Sequence, residues 1–211
     1  MRNENTPIAV EGYPFIIAAA FVTIICALLW KPLALIGLCL TCFIVFFFRN
    51  PERITPADER AVVAPADGKV IFVGSVPDER LGEVKKISIF MSVFNVHVNR
   101  APVSGRVVDL VPTRGKFLDV RDERATFENE QLAMLVETDG GVPLKVVQVA
   151  GLVARRIVCY PKQGDRLIRG ERYGLIRFGS RLDIYLPQSA ELKIALGDAT
   201  VAGETVLGYL P

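Results

Sequence analysis

Two positions in this chain carry side chains suited to proton transfer and nucleophilic attack. His97 is the single histidine among 211 residues, and histidine titrates near neutral pH. Ser180 follows Gly179, and a serine hydroxyl becomes a useful nucleophile when a neighbouring base removes its proton. By residue type alone, a histidine satisfied within a strand is the commoner interpretation of His97.

Two further polar residues have simpler interpretations when each is taken alone. Asp67 precedes Gly68, and an Asp-Gly pair is an ordinary turn signal. Cys159 lies between Val158 and Tyr160, which predicts a small buried hydrophobe rather than a nucleophile. Residue type therefore defines candidates, and only a joint pattern selects among them.

The composition divides the chain into an apolar N-terminal part and a globular remainder. Hydrophobic residues make up 51% of the sequence, and the mean hydropathy of +0.34 is high for a soluble domain. The excess lies in Phe15 to Phe48, where Lys31 is the one charged residue. The rest is long enough for one core. The net charge of +2 gives no support to nucleic-acid binding.

Lys31 and Pro32 divide the apolar part into two predicted helices, Phe15 to Trp30 and Leu33 to Phe48. Each would be roughly 24 Å long at about 1.5 Å per residue, which is short for a hydrocarbon core of about 30 Å. Two thin antiparallel spans and a re-entrant hairpin both fit. Either arrangement returns the chain to its starting side of the membrane.

Basic residues follow the second apolar segment at Arg49, Arg53 and Arg60. The positive-inside rule then places the following domain in the cytoplasm. A cleaved signal peptide with Phe15 to Leu29 as its apolar region is the alternative, but the second apolar segment follows it at once. Three of the four cysteines lie in the apolar part, so the domain has no disulfide framework. We expect a tail at 1–14, a membrane hairpin at 15–48 and a catalytic domain at 49–211.

From Val62 onward, short runs rich in Val, Ile and Phe alternate with turn signals, which predicts strands. One polar stretch, Arg121 to Gln131, reads as a small helix. The predicted strands are Lys69 to Val73, Lys85 to Phe90, Gly105 to Val111, Leu132 to Glu137 and Leu144 to Ala150.

The C-terminal third alternates glycine turns with short strands from Gln163 to Ile176 and again near Gly197. This pattern resembles the barrel-sandwich hybrid fold of biotinyl and lipoyl carrier domains. A carrier needs a lysine at its exposed hairpin tip, whereas this chain offers Gly179 and Ser180. The predicted fold class is therefore mainly β, barrel-sandwich-hybrid-like, with a small helical excursion and an N-terminal α-helical membrane hairpin.

Four separated segments, in this order, resemble the short form of the phosphatidylserine decarboxylase family. Each segment alone is weak, and together they cover Phe47 to Pro187. The segments are Phe47-Phe48-Arg49-Asn50-Pro51-Glu52-Arg53, Pro65-Ala66-Asp67-Gly68-Lys69-Val70, Phe94-Asn95-Val96-His97-Val98-Asn99-Arg100-Ala101-Pro102 and Phe178-Gly179-Ser180-Arg181.

The resemblance implies that the chain cuts itself between Gly179 and Ser180. The serine hydroxyl attacks the preceding carbonyl, which glycine leaves sterically open, and β-elimination followed by hydrolysis leaves a pyruvoyl group at position 180. Residues 1–179 become a β chain and 180–211 an α chain, which form a heterodimer. The resemblance implies no metal and no pyridoxal phosphate, because the pyruvoyl ketone takes the role of electron sink.

The implied reaction converts phosphatidylserine to phosphatidylethanolamine at a bacterial-type inner membrane. Membrane lipid is then the second partner, and nucleic acid is not one. His97 is assigned as general base and later proton donor, and Asp67 as the carboxylate that orients it. The identity of the lipid backbone and any higher oligomer stay open.

One position departs from the long form of the family, which has two histidines spaced His-x-x-His. Here the second position is Arg100, so His97 serves both steps or Arg100 binds substrate phosphate or carboxylate as a fixed cation. Asn50 and Arg53 are candidates for contact with the lipid head group, and Arg53 is equally well read as a membrane anchor. Phe94 and Phe178 are candidates to guide acyl chains, although core packing is the simpler explanation for both.

Two other classes of protein fit parts of this pattern. A non-enzymatic membrane adaptor with a barrel-sandwich domain would stay uncut. Such proteins usually carry a long helical hairpin, and no helical pattern in this sequence is long enough for one. A zinc peptidase on a related fold needs several histidine ligands, and this chain has one histidine.

Overall fold

The structure is a computed structural model, and it describes residues 6–152, 156–177 and 179–211. The chain divides into two compact units, Met1–Glu52 and Arg53–Pro211. The division falls close to the predicted start of the catalytic domain at position 49, and that domain boundary stays a prediction.

The first unit consists of two helices joined at Trp30. A single 3-10 turn, Val10–Gly12, leads into α1, Tyr13–Leu29, and α2 covers Lys31–Phe47. Trp30 is extended, with φ −161°, and breaks the helix there. Both helices begin two residues before their predicted starts because a proline is accommodated in each first turn.

Small and hydroxyl-bearing residues lie where α1 meets α2. The Thr23 and Thr41 hydroxyls are 3.1 Å apart, and a Cβ at Gly37 would lie 2.8 Å from the Thr23 hydroxyl oxygen. Such close approach is typical of helix pairs in lipid. By length and composition, Val10–Leu29 is long and apolar enough to cross a membrane, and Lys31–Phe47 is a shorter apolar helix. The predicted apolar hairpin is therefore present as two helices.

In its described residues, the second unit is built of short strands with one short helix. Its elements in chain order are β1 Ala61–Val63, β2 Gly68–Asp78, β3 Gly82–Met91, β4 Val98–Arg100, β5 Gly105–Thr113, α3 Ala125–Glu128, β6 Gln131–Thr138, β7 Pro143–Ala150, β8 Ile157–Cys159, β9 Arg166–Leu167, β10 Arg172–Ile176, β11 Ser180–Pro187, β12 Glu191–Leu192, β13 Ala199–Thr200 and β14 Val206–Tyr209.

Three antiparallel sheets organise these strands. The largest has eight strands in the order β13-β2-β3-β11-β7-β6-β5-β9, and it is curled. Two three-stranded sheets have the orders β1-β14-β12 and β4-β10-β8. The mainly β fold class is confirmed, and each of the five predicted strands is present, extended by one or more residues at its ends.

The predicted helix at Arg121 to Gln131 is shorter than expected. The helix covers only Ala125–Glu128, and the residues before it form turns. Asp119 and Asp122 accept hydrogen bonds from the backbone N–H groups of Arg121 and Arg124. Aspartates that bond their own backbone two residues on favour turns over helix, so the polar stretch forms successive turns.

The main core lies on one face of the large sheet, where alternate residues point inward. Leu182 and Ile184 of β11 are fully buried against Ile87 and Ile89 of β3. Burying each such side chain stabilises the fold by roughly 1.5–3 kcal/mol. Because a shift of one residue would turn this set outward, the apolar pattern fixes the register of β11.

Candidate active site

Four adjacent strands of the large sheet meet at one end, where most of the motif residues lie. β2 begins at Gly68, β3 ends at Met91, β11 begins at Ser180 and β7 ends at Ala150. In register, Met91 pairs with Ser180, which pairs with Ala150 on its other side. Neighbouring strands lie roughly 4.8 Å apart. The segments that flank these strand ends, including Asp67, therefore lie at the same end of the sheet.

Ser180 is completely buried at this end of the sheet. Its hydroxyl lies 3.4 Å from the Met91 sulfur, which also receives the Asn99 side-chain amide at 3.8 Å. Gln148 in turn donates to the Asn99 side-chain oxygen at 2.8 Å. The serine hydroxyl therefore ends a buried chain of neutral polar groups, which leads through Met91 to β4 and β7.

Gly179 has a backbone that only glycine adopts readily. Its φ is +62°, in the left-handed region. Among the described residues, a Cβ atom at this position would meet nothing within 4 Å. The backbone angle, rather than crowding, is what makes glycine the favoured residue before Ser180.

His97 is positioned by a tight turn that follows β3. The Asn95 side-chain oxygen accepts from both the backbone N–H and the hydroxyl of Ser92. The ring of His97 is 2% exposed, and its Nδ1 lies 3.0 Å from the Asn95 carbonyl oxygen. A carbonyl can only accept, so Nδ1 carries the proton and Nε2 carries the lone pair of the neutral ring. Nε2 is therefore the atom able to act as a base.

Asp67 is held by partners that the sequence does not reveal. One carboxylate oxygen accepts from Arg53 at 2.9 Å, and the other accepts from the backbone N–H of Ala202 at 2.8 Å. Arg53 also lies 3.9 Å from Glu204. Within the described residues, Asp67 has no hydrogen bond to His97. The structure thus brings two candidates, Arg53 and Asp67, together as an ion pair.

Arg100 connects the second and third motif segments. Its backbone N–H donates to the Pro65 carbonyl at 2.9 Å. Its guanidinium group donates to the Gly170 carbonyl at 2.7 Å. A Cβ at Gly203 would lie 2.8 Å from the Arg100 side chain. Arg100 is 5% exposed, so its charge lies inside the domain, and a substrate role for it stays a prediction.

The remaining candidates lie in three different settings. Asn50 belongs to the N-terminal unit, where its side chain donates to the Thr6 carbonyl at 2.7 Å. The Phe94 side chain is 66% exposed, so core packing does not account for it and that interpretation is wrong. Phe178 lies outside the described residues.

The opposite face of β11 carries a buried ion cluster that the sequence analysis missed. Arg181 donates to both oxygens of Asp183 at 2.8 and 2.9 Å, and Lys86 lies 3.1 Å from the same carboxylate. Burial lowers the pKa of Lys86, and the Asp183 charge partly opposes that shift. Charged residues at alternate positions of an otherwise apolar strand were the signal that could have revealed this cluster.

Arg181 also fixes the loop beside the site. It donates to the Val120 carbonyl at 2.7 Å and to the Thr126 hydroxyl at 2.8 Å. The residue that follows the candidate nucleophile therefore anchors both β11 and the turns that lead to α3.

Cys159 is partly buried, where its sequence context predicts a buried hydrophobe. It packs against the main core, and burial raises the pKa of its thiol to about 12. At neutral pH the thiol is therefore protonated and a poor nucleophile.

Comparison with known proteins identifies the family to which this arrangement belongs. Residues 40–208 match the family model described as phosphatidylserine decarboxylase. Proteins named phosphatidylserine decarboxylase proenzyme from Geotalea uraniireducens and Geobacter sulfurreducens are 68% and 66% identical, with all of each chain covered. The protein of that name from Syntrophotalea carbinolica is 54% identical over the same full extent. The chain belongs to the phosphatidylserine decarboxylase family.

Proposed function

We propose that this chain decarboxylates phosphatidylserine to phosphatidylethanolamine after it has cut itself between Gly179 and Ser180. The observation that carries the proposal is the setting of Ser180. It is completely buried at the first position of a central strand and follows a glycine with φ +62°. Relatives that match the whole chain are named as proenzymes of this activity.

Self-cleavage begins when the Ser180 oxygen attacks the Gly179 carbonyl carbon and converts the amide into an ester. His97 accepts the hydroxyl proton at Nε2 in this proposal, since its Nδ1 is committed to the Asn95 carbonyl. Catalytic hydrogen bonds often close only in the reacting state, so the present contact of Ser180 with Met91 describes the resting hydroxyl. Elimination and hydrolysis then leave a pyruvoyl group at position 180.

The position of the cut supports a heterodimer of the two products. β11 is the first strand of the proposed α chain, 180–211, and it lies between β3 and β7 of the proposed β chain. Two further strands of the α chain also pair with the β chain: β13 pairs with β2, and β14 pairs with β1. Ladder hydrogen bonds from β11, β13 and β14 to strands of the β chain therefore hold the α chain in place after the peptide bond is lost.

The residues around position 180 fit a pyruvoyl group. The group reuses carbon atoms of Ser180, and a ketone oxygen replaces the amide nitrogen, so it needs little new space. The neighbouring Met91 sulfur and Asn99 amide are neutral, and they leave a ketone electrophilic. When present, this ketone would capture the substrate amine and take up the electrons released with CO2.

Roles for the other candidates follow from where they lie. Asp67 is at the same end of the sheet as Ser180, and its charge balances that of Arg53. We propose that this pair orients the substrate or the base, and that Arg100 stabilises the turn at Gly170, which precedes β10. The exposed ring of Phe94 is available to contact an acyl chain. We propose that Asn50 contacts the head group of the lipid.

Membrane attachment is assigned to the first unit. One N-terminal helix, Val10–Leu29, has the length and composition of a span. We propose that it holds the enzyme at the inner membrane of a bacterial-type cell, with the catalytic domain at 49–211 on the cytoplasmic side because arginines follow α2 at positions 49 and 53. Protease protection of sealed, oriented vesicles tests that side.

The mass of the purified protein tests the proposal directly. We expect two chains, residues 1–179 and residues 180–211, and the smaller chain should begin with a pyruvoyl group. Ser180→Ala should remain one chain and release no CO2 from phosphatidylserine vesicles. Ser88→Ala is the matched control, since Ser88 is also buried in the same sheet and should leave the cut intact. An uncut wild-type protein that releases CO2 would refute the mechanism.

A further inference from the structure

A glycine that belongs to none of the motif segments lies against the proposed cleavage bond. Gly151 follows the last residue of β7 and is buried. A Cβ atom placed on it would lie 2.3 Å from the Gly179 carbonyl oxygen and 3.2 Å from the Gly179 carbonyl carbon. Real Cβ atoms do not approach a heavy atom to 2.3 Å. Position 151 therefore accepts only hydrogen while this carbonyl keeps its present orientation.

The chain just before Gly151 cannot easily move away from that carbonyl. The Ala150 N–H donates to the Glu130 carbonyl at 3.0 Å. The Ala150 carbonyl accepts from the Asn129 side chain at 2.8 Å. Asn129 is itself completely buried and bonded to Leu118. A side chain at position 151 would therefore displace the Gly179 peptide group rather than β7.

The same position is closed on a second side by Val120. Its Cγ1 would lie 3.1 Å from a Cβ at Gly151. The Val120 carbonyl is held by Arg181 at 2.7 Å, and the side chain is buried. A methyl group at position 151 would thus be pressed between Val120 and the carbonyl that Ser180 attacks.

We propose that Gly151 is a positioning residue for self-cleavage: its missing side chain lets the Gly179 carbonyl lie in the orientation that receives the Ser180 oxygen. The inference rests on the proposed function. In the step concerned, a bond forms between the Ser180 oxygen and the Gly179 carbon, and the hydroxyl proton passes to a base. The C–N bond then breaks, and the Ser180 nitrogen takes up a proton. Amide becomes ester with no oxidant, reductant or water consumed.

Orientation matters here because nucleophile and carbonyl belong to adjacent residues. Ser180 is fixed by its pairing with Met91 and Ala150, so its oxygen has little freedom to follow a carbonyl that has turned. A displacement of about 1 Å from the reactive geometry can slow a reaction by about 10²-fold. Gly151 therefore acts through the Gly179 peptide group and contacts no substrate.

The experiment compares Gly151→Ala with Gly208→Ala in the full chain. A Cβ at Gly208 would also lie 2.3 Å from a backbone carbonyl oxygen, that of Glu191, but in the sheet formed by β1, β14 and β12. The time course of cleavage is followed on denaturing gels after synchronised cell-free synthesis. We expect cleavage of Gly151→Ala to slow by about 10²-fold, and Gly208→Ala to cut at a rate close to wild type.

Two further readouts separate positioning from loss of folding. Melting temperatures are measured for both substitutions in the uncut Ser180→Ala protein, where the two should fall by similar amounts. Hydroxylamine, which cleaves an ester, should release no more fragment from Gly151→Ala than from the wild-type chain, since formation of the ester is the step that is slowed. Adding Val120→Ala makes room beside the new methyl group and should restore part of the cleavage rate.

The outcomes distinguish this inference from the proposed function. A wild-type chain that cuts itself together with a Gly151→Ala chain that cuts equally fast overturns the role of Gly151 alone. Ester that accumulates in Gly151→Ala also overturns it, because the block would then lie at elimination. Equal loss of cleavage in Gly208→Ala would assign the effect to folding. A wild-type chain that stays uncut overturns both proposals.

Discussion

Strand β11 has one face packed in the apolar core and one face packed against buried charges. Ser180 and Leu182 point to the first face, where the hydroxyl meets the Met91 sulfur. Arg181 and Asp183 point to the other face and form an ion cluster with 4% and 1% side-chain exposure. Residues adjacent in sequence thus lie in very different electrostatic surroundings.

With Ser180 as the proposed nucleophile, this difference assigns anchoring to one face of the strand and reactivity to the other. The charged face ties β11 to its neighbouring strand through Lys86 and to the α3 loop through Arg181. The neutral face leaves the serine without a charged hydrogen-bond partner in the described structure. Substitutions on the two faces should therefore affect different measurements, stability for the charged face and cleavage for the neutral one.

The largest effect is expected from His97→Ala, which removes the proposed base of the neutral face. A positioned acid or base contributes typically about 10²–10⁴-fold to a rate. Cleavage should slow by an amount in that range, as read from the ratio of cut to uncut chain over time. Because His97 is buried, its truncation also removes packing, so the melting temperature of the uncut protein is measured to separate loss of stability from loss of the base. A His97→Ala protein that matures and decarboxylates normally would remove His97 from the site.

Asp183→Asn should have the largest effect on stability, because it leaves Arg181 and Lys86 buried without their carboxylate. Loss of one partner of a buried ion pair typically costs about 3–5 kcal/mol. Urea unfolding of the uncut Ser180→Ala protein measures this change. Cleavage by the folded fraction should continue. A folded but uncut Asp183→Asn protein would contradict the separation of the two faces.

Gly179→Ala should slow cleavage through backbone strain. An L-residue in the left-handed region costs roughly 1–2 kcal/mol, and no described residue lies within 4 Å of a Cβ at this position. We expect the cleavage rate to fall by about tenfold, since 1.4 kcal/mol corresponds to a factor of ten. Gly141→Ala is the control, because Gly141 has φ +76° and open surroundings in a distant turn; an equal slowing there would contradict a local effect.

Met91→Leu should have a smaller effect on the neutral face. Volume-conserving core substitutions usually cost less than about 1.5 kcal/mol, and the Ser180 hydroxyl would lose only a weak sulfur acceptor. Cleavage should change by less than about tenfold, measured by the same time course. A complete block would show that the sulfur does more than pack beside the serine.

The smallest effect is expected at Asp119, an exposed carboxylate that is compared with the buried carboxylate of Asp183. Hydrogen bonds from Arg121 lower the pKa of Asp119 from 3.8 to about 2. Its contribution to stability is therefore full above pH 3.8 and is lost as the pH falls from 3.8 towards 2. Because the pair is exposed, the contribution should be below about 1 kcal/mol. Asp119→Asn should reduce, by that amount, the loss of unfolding free energy as the pH falls from 3.8 towards 2. A larger change would contradict this prediction.

The sequence predicted the strands well because their signals are local. Alternating Val, Ile and Phe between Asp-Gly and Gly-rich turns located strands such as Leu144 to Ala150 within one residue of the observed β7. The apolar hairpin was equally clear. The α3 region was less predictable, because the aspartates at 119 and 122 bond their own backbone instead of supporting a longer helix.

The site was predictable where a motif is contiguous and not where strands bring distant residues together. Ser180 and His97 could be named from the sequence. The contact of Ser180 with Met91, and that of Gly151 with the Gly179 carbonyl, depend on the register of three strands. Arg53 and Asp67 were named separately, but their ion pair depends on a fold that spacing alone does not give.

The position of β11 between β3 and β7 has a consequence for the lifetime of the enzyme. If the chain is cut as proposed, the short chain 180–211 contributes a central strand of the sheet and could be replaced only by unfolding the domain. Reduction or amination of the proposed terminal ketone would then inactivate that molecule permanently. Each molecule would then have a finite number of turnovers, and a cell that needs more product would have to synthesise new protein.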